Sequence, residues 1–271
     1  MPFKFPETSG YFGINFYVFL IILRETFLYH ILMALCMIDE SVSVIIPAYN
    51  EEANVKRLVR DTIKIISSHA RKYEIIVVDD GSTDNTLKEL SSIKNKNLKV
   101  IKNKKNMGKT KTMVNSFSMA KGDIVSFIDA DYQYDPKDLV KLIEKVRKGN
   151  DICIGNRRRR RDSLYRKFMS WGFNTFDKMM FGIEVKDVNC GLKAFKKESF
   201  KKIKLKFLTT RWFIDTELLA RYYRNKSRVA EIEISHYERK NSVSKVSAVY
   251  LASETLVYGI FLKLDMIFSS K

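Results

Sequence analysis

Two aspartates one residue apart, Asp129 and Asp131, stand directly after the apolar run 124–128. A core strand that ends in two carboxylates is costly to build unless a cation compensates their charge. In open parallel sheets, ligands bind at the carboxyl ends of the strands. The pair therefore predicts a cation-binding site at the end of a strand, and it points to an enzyme.

Strand-like apolar runs alternate with helical stripes along the chain before this pair. We predict strands at 42–46, 74–78, 98–101 and 123–128, and helices at 51–67, 83–92 and 110–120. Strands that alternate with helices of this length are typical of a mostly parallel sheet covered on both faces. The pattern therefore predicts an α/β fold.

Polar side chains follow four consecutive predicted strands, at the point where each strand ends. They are Pro47, Tyr49, Asn50 and Glu51, then Asp79 and Asp80, then residues 106–109, and finally Asp129 and Asp131. Each cluster alone is more often a turn or a helix cap. Four such clusters after four consecutive strands are hard to explain by chance, so they predict one ligand site at this edge of the sheet.

Composition narrows the class of partner. The chain has 271 residues and carries 49 Lys and Arg against 31 Asp and Glu, a formal net charge of +18. This charge suits nucleic acid, an anionic membrane surface or a phosphorylated substrate. The sequence contains no helix-turn-helix, zinc-finger or RNA-recognition pattern, and acids at the strand ends would repel phosphates, so we expect no nucleic acid partner. Three widely spaced cysteines predict neither a disulfide framework nor a zinc cluster.

The polar clusters carry an ordered set of motifs. They read Pro-Ala-Tyr-Asn-Glu at 47–51, Asp-Asp-Gly-Ser at 79–82 and Asp-Ala-Asp at 129–131. This set resembles the family 2 glycosyltransferases of the GT-A (Rossmann-like) fold. The continuation Asp-Ala-Asp-Tyr-Gln, with a proline at 136, is similar to the dolichyl- or polyprenyl-phosphate hexose synthases of that family. Segments 154–157, 187–195 and 212–219 extend the resemblance, which covers about residues 41–246.

The resemblance implies a reaction. A hexose, mannose or glucose, would pass from GDP-mannose or UDP-glucose to dolichyl or polyprenyl phosphate, with inversion and with the lipid phosphate as nucleophile. A divalent ion would stabilise the departing diphosphate, and oxygen ligands suit Mg²⁺ or Mn²⁺. The alternative is a family 2 enzyme with a non-lipid glycan acceptor.

The resemblance also assigns residues. The implied metal and diphosphate ligands are Asp129, Asp131 and Gln133, with Asp131 as the direct ligand and a catalytic residue. The base and ribose would contact Pro47, Tyr49, Glu51 and Asp79, with Asp79 accepting from the base N–H. The lipid and donor phosphates would be held by Arg157, Arg239 and Lys245. Arg157 is followed by four more arginines, for which we favour a solvated loop or membrane contact.

The ends of the chain are predicted to be peripheral to the catalytic domain, which we place at 39–245. Segment 1–38 is apolar but interrupted by charge, so we expect either an interfacial anchor or an extension outside the native protein, whose start would then be Met37. Segment 246–271 is amphipathic and is expected at a membrane interface. Together these features predict a peripheral or monotopic protein on the cytoplasmic face of a membrane.

Overall fold

The computed structural model describes residues 37–157, 164–203, 213–238 and 248–268. It divides the chain between Ile38 and Asp39, and the elements below belong to the unit that begins at Asp39. Three predicted features lie wholly or almost wholly outside the described residues: the N-terminal segment 1–38, the arginines 158–161 and the loop that contains Arg239 and Lys245.

The described residues form seven strands and eight helices. The strands are β1 (Val42–Ala48), β2 (Tyr73–Asp79), β3 (Leu98–Lys102), β4 (Ile124–Phe127), β5 (Ile152–Asn156), β6 (Lys193–Lys196) and β7 (Val229–Glu233). The helices are α1 (Val55–Ser67), α2 (Thr86–Ser91), α3 (Lys109–Met119), α4 (Lys137–Arg147), α5 (Leu164–Phe181), α6 (Lys197–Lys202), α7 (Ile214–Arg224) and α8 (Ala248–Phe268).

All seven strands lie in one sheet, in the order β3-β2-β1-β4-β6-β5-β7. Strands β3, β2, β1 and β4 are parallel, β6 is antiparallel to both of its neighbours, and β5 is parallel to β7. Only β6 therefore runs against the others in this sheet. The predicted α/β fold with a mostly parallel sheet is confirmed.

The sheet order explains why the polar clusters meet. Because β2, β1 and β4 are neighbours and parallel, the residues that follow them reach the same edge. The central residues of β1 and β2 are buried and mostly β-branched, as expected for strands covered on both faces. Helix α1 packs on this sheet through one apolar stripe, and its buried residues are Val55, Leu58, Val59, Thr62 and Ile66.

Two helices begin later than the sequence pattern predicts, because loop hydrogen bonds occupy their expected first turns. Helix α1 begins at Val55, since the carbonyl of Glu51 accepts from the amides of Asn54 and Val55 in a separate turn. Helix α2 begins at Thr86, whose amide donates to the Asp84 carboxylate at 2.9 Å. The residues before both helices therefore stay in the loops at the edge of the sheet where we predict the ligand site.

Helices α5, α7 and α8 pack together. A Cβ at Gly259 of α8 would lie 2.8 Å from the Phe176 ring of α5, so the glycine allows this close approach. Arg221 of α7 donates to Asp265 of α8 at 3.1 Å. No helix in the described part of the chain is both long enough and apolar enough to cross a membrane.

Candidate active site

The loops that follow β1 and β2 are tied together by reciprocal hydrogen bonds. The amide of Asn50 donates to the Ser82 hydroxyl at 2.9 Å, and the amide of Thr83 donates to the Asn50 side-chain oxygen at 2.8 Å. The amide of Glu51 donates to the Thr86 hydroxyl at 2.8 Å. These bonds explain why the two motifs occur together, because each loop supplies the polar partners of the other.

Asp79 ends β2 and is 0% exposed. Its Oδ1 accepts from the amide of Ser82 at 3.1 Å. Its Oδ2 is also buried, and the described residues supply it with no hydrogen-bond donor. A buried acceptor without a donor is unfavourable, so the atom is suited to a donor that a ligand brings, such as the N–H of a nucleotide base.

The other residues predicted to contact the base and ribose lie beside Asp79. Pro47 occupies a half-buried position in β1, one strand away, and pairs in register with Val78. Tyr49 is half-buried in the loop that follows. Glu51 is buried and accepts from the Asn54 side chain at 3.2 Å. All four predicted residues are therefore brought to one end of β1 and β2.

Asp80 fixes the loop that follows β3. Its carboxylate accepts from the amides of Met107 and Gly108 at 2.9 and 3.0 Å and from the Asn103 side chain at 2.8 Å. Gly108 has φ +85°, a left-handed backbone that favours glycine. Helix α3 starts at the next residue, Lys109, so this loop determines where the lysine side chain points.

Lys109 forms an ion pair with Asp129, the first aspartate of the central pair. Its Nζ lies 3.0 Å from Oδ1 and 3.2 Å from Oδ2 of Asp129, and both side chains are largely buried. Burial opposes the charged ammonium, but the fields of Asp129 and Asp215 outweigh it and raise the pKa of Lys109 above its usual range. A lysine of the chain itself thus compensates the charge of Asp129.

Gly191 packs directly against the same carboxylate. A Cβ at this position would lie 1.9 Å from Oδ2 and 2.7 Å from Cγ of Asp129. The amide of Gly191 donates to the hydroxyl of Tyr134 at 3.0 Å. The segment at 187–195 therefore contributes a glycine because no larger residue leaves room for Asp129.

Asp131, the second aspartate, opens onto a cleft. Its Oδ1 accepts from the amide of Gln133 at 3.1 Å, which closes a turn around Tyr132. The cleft has a volume of about 630 Å³, and besides Asp131 it is lined by residues of α1, of segment 132–137 and of segment 237–238. Asp129 and Asp131 therefore have different surroundings, since only the second lines this cleft.

Gln133 is oriented by segment 236–237. The side-chain Nε2 of Gln133 donates to the backbone carbonyl of Tyr237 at 3.3 Å. The backbone carbonyl of Gln133 accepts from the Tyr237 amide at 2.9 Å. This orientation leaves the side-chain oxygen as the atom that can coordinate a cation.

The predicted metal ligands fit a diphosphate-bound ion better than a site made by protein alone. Within the residues that the structure describes, no group of three or more His, Cys, Asp or Glu side chains could hold a metal ion. Mg²⁺ is usually bound by one or two carboxylates together with substrate phosphates and water. Asp131 and Gln133, with Asp129 beside them, form an all-oxygen set of that kind.

Arg157 lies at the end of β5 in a buried ion pair. Its Nε and Nη2 donate to the two carboxylate oxygens of Asp187 at 2.6 and 2.7 Å. The Arg157 Nη2 also donates to the carbonyl of Asn189 at 3.3 Å. The structure thus shows Arg157 holding segment 187–189 in place, and its contact with a lipid phosphate stays a prediction. Arg239 and Lys245 lie outside the described residues.

A buried polar layer lies next to the acid pair. Lys193 is 0% exposed, and its Nζ donates to Asp215 at 2.7 Å and to the carbonyl of Cys190. Asp177 of α5 accepts from the Thr216 hydroxyl at 3.0 Å. Burial, together with the field of Asp215, raises the pKa of Asp177 to about 7.

Sequence reasoning missed the roles of Lys109, Gly191, Asp187 and Lys193. Asp187, Gly191 and Lys193 stand in segment 187–195, and Lys109 stands in the polar cluster 106–109 that follows a predicted strand. The pairs Lys109–Asp129, Asp187–Arg157 and Lys193–Asp215 join residues 20 to 30 positions apart, and Gly191 packs against Asp129 from further along the chain. The motifs marked the right segments, but only the fold shows which side chains meet.

The chain is similar to a known enzyme family and to named members of it. The model of the family described as glycosyl transferase family 2 matches residues 43–204. An undecaprenyl-phosphate 4-deoxy-4-formamido-L-arabinose transferase of Proteus mirabilis is 34% identical over 222 residues, which are 81% of this chain and 66% of that protein. A dodecaprenyl-phosphate galacturonate synthase of Rhizobium johnstonii is 31% identical over 208 residues, 75% of this chain and 61% of that protein. The chain thus spans less than two thirds of the length of both relatives.

The fold is shared with solved structures. Glucosyl-3-phosphoglycerate synthase of Mycobacterium tuberculosis, in complex with Mn²⁺, UDP and phosphoglyceric acid, superposes with a TM-score of 0.64 at 19% identity. The match covers 83% of this chain and 78% of the synthase. The family model covers more than half of the chain, and the sheet has the architecture of these enzymes. The chain therefore belongs to glycosyl transferase family 2.

Proposed function

We propose that this protein transfers a sugar from a nucleotide-sugar donor to a polyprenyl phosphate, in a reaction that depends on Mg²⁺ or Mn²⁺. One observation carries the proposal: the acids predicted for base and diphosphate follow β2 and β4, on either side of β1, at a single sheet edge. Two strand spacings separate them by about 10 Å. A nucleoside diphosphate can bridge that distance.

The donor side is supported by the chemistry of its atoms. Asp79 has a buried Oδ2 for which the described residues provide no donor, and a base N–H would satisfy it. Asp131 and the side-chain oxygen of Gln133 would hold the metal ion, which supplies a Lewis acid for the charge on the departing diphosphate. Lys109 neutralises Asp129, which lowers the repulsion between this carboxylate and an anionic donor.

The proposed acceptor, a polyprenyl phosphate, is supported by the names of the relatives. Two relatives are named as undecaprenyl- and dodecaprenyl-phosphate sugar enzymes. The oxygen of a phosphate monoester is already anionic, so it can attack without a strong general base. An attack from the side opposite the diphosphate inverts the configuration at the sugar. Arg157, Arg239 and Lys245 remain our proposed contacts for the phosphates.

We also propose a peripheral position on the cytoplasmic face of a membrane. Helices α5 and α8 expose ten large apolar side chains, which are Phe168, Trp171, Met179, Leu256, Val257, Ile260, Phe261, Leu264, Ile267 and Phe268. Large apolar side chains exposed together mark interaction sites. A polyprenyl phosphate lies in a bilayer, so an enzyme that uses it gains from such a surface.

The sugar is the least constrained part of the proposal. Resemblance favours mannose from GDP-mannose or glucose from UDP-glucose with dolichyl or polyprenyl phosphate, for protein or surface glycosylation. The named relatives handle formamido-arabinose and galacturonate, so the experiment must include such donors.

The test incubates the protein with Mn²⁺ or Mg²⁺, a short polyprenyl phosphate and a panel of nucleotide sugars. We expect release of one nucleoside diphosphate that depends on the lipid, and transfer of radiolabelled sugar into the organic phase. Release that depends instead on an added glycan would favour the alternative of a non-lipid acceptor. No acceptor-dependent release from any donor would contradict the proposal.

A further inference from the structure

Tyr132 stands between the two residues that would bind the metal ion, and its backbone is unusual. It has φ +59°, in the left-handed region that bulky residues rarely adopt. The hydrogen bond from the Gln133 amide to the Asp131 carboxylate spans Tyr132 at 3.1 Å. Any rotation of the Tyr132 backbone therefore changes the direction of the Asp131 carboxylate relative to Gln133.

Two residues of α1 hold the Tyr132 side chain. Its hydroxyl donates to the Asp61 carboxylate. The Arg57 guanidinium lies 4.6 Å from the centre of the tyrosine ring, in cation–π range, and its Nε is 3.8 Å from Asp61. Unfavourable backbone conformations persist only where the surroundings determine them strongly. These three side chains, Arg57, Asp61 and Tyr132, are called the α1 tether below.

The α1 tether connects two parts of the candidate site. Helix α1 starts directly after the loop of Glu51, which is predicted to contact the nucleoside, and the tether joins α1 to the turn that carries Asp131. Arg57, Asp61, Asp131 and Tyr132 line the same cleft. On its other side the turn is held by the Tyr237 amide, which donates to the Gln133 backbone carbonyl at 2.9 Å.

We propose that Asp61 and Arg57 are positioning residues that act through Tyr132 to fix the Asp131–Gln133 turn for metal binding. They act without being ligands themselves, because their contacts are with the tyrosine. The metal-binding part of this inference rests on the proposed function, whereas the fixing of the turn does not.

The first experiment measures the turn itself, in the full chain without ligand. Amide hydrogen exchange of segment 128–137 is compared between the native protein, Tyr132→Phe, Asp61→Ala and Asp61→Asn. We expect about tenfold faster exchange in the first two variants, because each loses a hydrogen bond to a charged group. Asp61→Asn keeps an oxygen that accepts the tyrosine proton and should stay within about twofold of the native rate.

The second experiment measures Mn²⁺ affinity by electron paramagnetic resonance, with UDP or GDP present. Tyr132→Phe and Asp61→Ala should each weaken binding about tenfold. The double variant should lose no more than either single one, because both remove the same hydrogen bond. Arg60→Met is the matched control, since Arg60 is an exposed cation of the same helix that does not line this cleft, and it should leave affinity and exchange unchanged.

The outcomes separate the two proposals. Unchanged exchange in both Tyr132→Phe and Asp61→Ala would overturn the tether. Faster exchange with unchanged Mn²⁺ affinity would overturn its role in metal binding. A native protein that binds no Mn²⁺ with either nucleotide would contradict the proposed function, while the exchange data would still decide whether α1 fixes the turn.

Discussion

At the scale of single residues, the structure separates two aspartates that look alike in the sequence. Asp129 is held by the Lys109 ammonium and packed against Gly191, whereas Asp131 lines the cleft. The expectation that both bind the metal ion remains a prediction. Their surroundings make Asp131 the stronger candidate for a direct ligand, because its side chain lines the cleft that a ligand could enter.

Asp131→Ala is expected to lower turnover by about 10²- to 10³-fold, because it removes the charge that would hold the ion. Turnover is measured as nucleoside diphosphate release, and thermal unfolding serves as the check on folding. Loss of activity with an unchanged melting temperature supports the assignment. A fully active variant would remove the metal role from Asp131.

Gly191→Ala is expected to displace Asp129, because the new Cβ would lie 1.9 Å from its Oδ2. Overpacking of this kind costs about 1–3 kcal/mol of unfolding free energy, and activity should fall because the Lys109–Asp129 pair is disturbed. Gly172→Ala is the matched control, since a Cβ there meets nothing within 4 Å. That helical substitution should stabilise the protein by about 0.5–1 kcal/mol. Equal effects of the two substitutions in denaturant unfolding would contradict the packing argument.

Asp177→Asn is expected to stabilise the protein in a pH-dependent way. The folded protein raises the pKa of Asp177 to about 7 from an ordinary 3.8, so folding favours the protonated acid. Its contribution to stability is fully present below the ordinary pKa and is lost as the pH rises through about 7.

The neutral amide avoids that loss and can still accept from Thr216. The gain in unfolding free energy should be on the order of 2 kcal/mol at high pH and should shrink in acid. Thermal melts at a series of pH values check this. A gain that does not depend on pH would show that Asp177 is not the titrating group.

At the scale of elements, helix α8 is held by contacts with α5 and α7 and exposes apolar side chains to solvent. Arg221 binds Asp265, and the Lys263 ammonium donates to the carbonyl of Met180 at 2.6 Å at the end of α5. Leu262 is fully buried while Ile260 and Phe261 are more than half exposed. Helix α8 thus packs through one side and offers the other to a partner, which we propose is a lipid surface.

Replacing both Ile260 and Phe261 by Glu should weaken vesicle binding by at least about tenfold, because it removes two apolar contacts and adds negative charge. Co-sedimentation with vesicles that contain anionic lipid measures the effect. Glu at the buried Leu262 is unsuitable, because it would test folding instead. Activity on a short, water-soluble acceptor should be retained in the double variant. Unchanged sedimentation would contradict membrane docking through this face.

At the scale of the whole molecule, charge and apolar surface point to the same kind of partner. The net charge of +18 would strengthen attraction to an anionic leaflet. We expect vesicle binding to weaken as salt rises from about 0.05 to 0.5 M, because the Debye length shortens over that range. Vesicles of neutral lipid should show little salt dependence, and equal salt dependence for both compositions would argue against an electrostatic contribution.

Much of this could be predicted from the sequence. The alternation of apolar runs and helical stripes predicted the parallel part of the sheet, because periodicity reports burial directly. Helix starts at Val55 and Thr86 were missed, because side chains from a loop some 30 residues away compete for the first turn. The antiparallel direction of β6 had no signal in the local pattern, since its first three residues are buried like those of β4.

The sequence by itself determined the family, the fold class and the positions of the acids, because motifs and periodicity are properties of neighbouring residues. Only the tertiary structure decided which charges meet. Lys109 forms an ion pair with Asp129, and Arg157 forms one with Asp187. Asp61 accepts a hydrogen bond from Tyr132, 71 positions away. Such pairs depend on how strands are ordered and how helices cross them, and this long-range arrangement is what gives two identical carboxylates different surroundings.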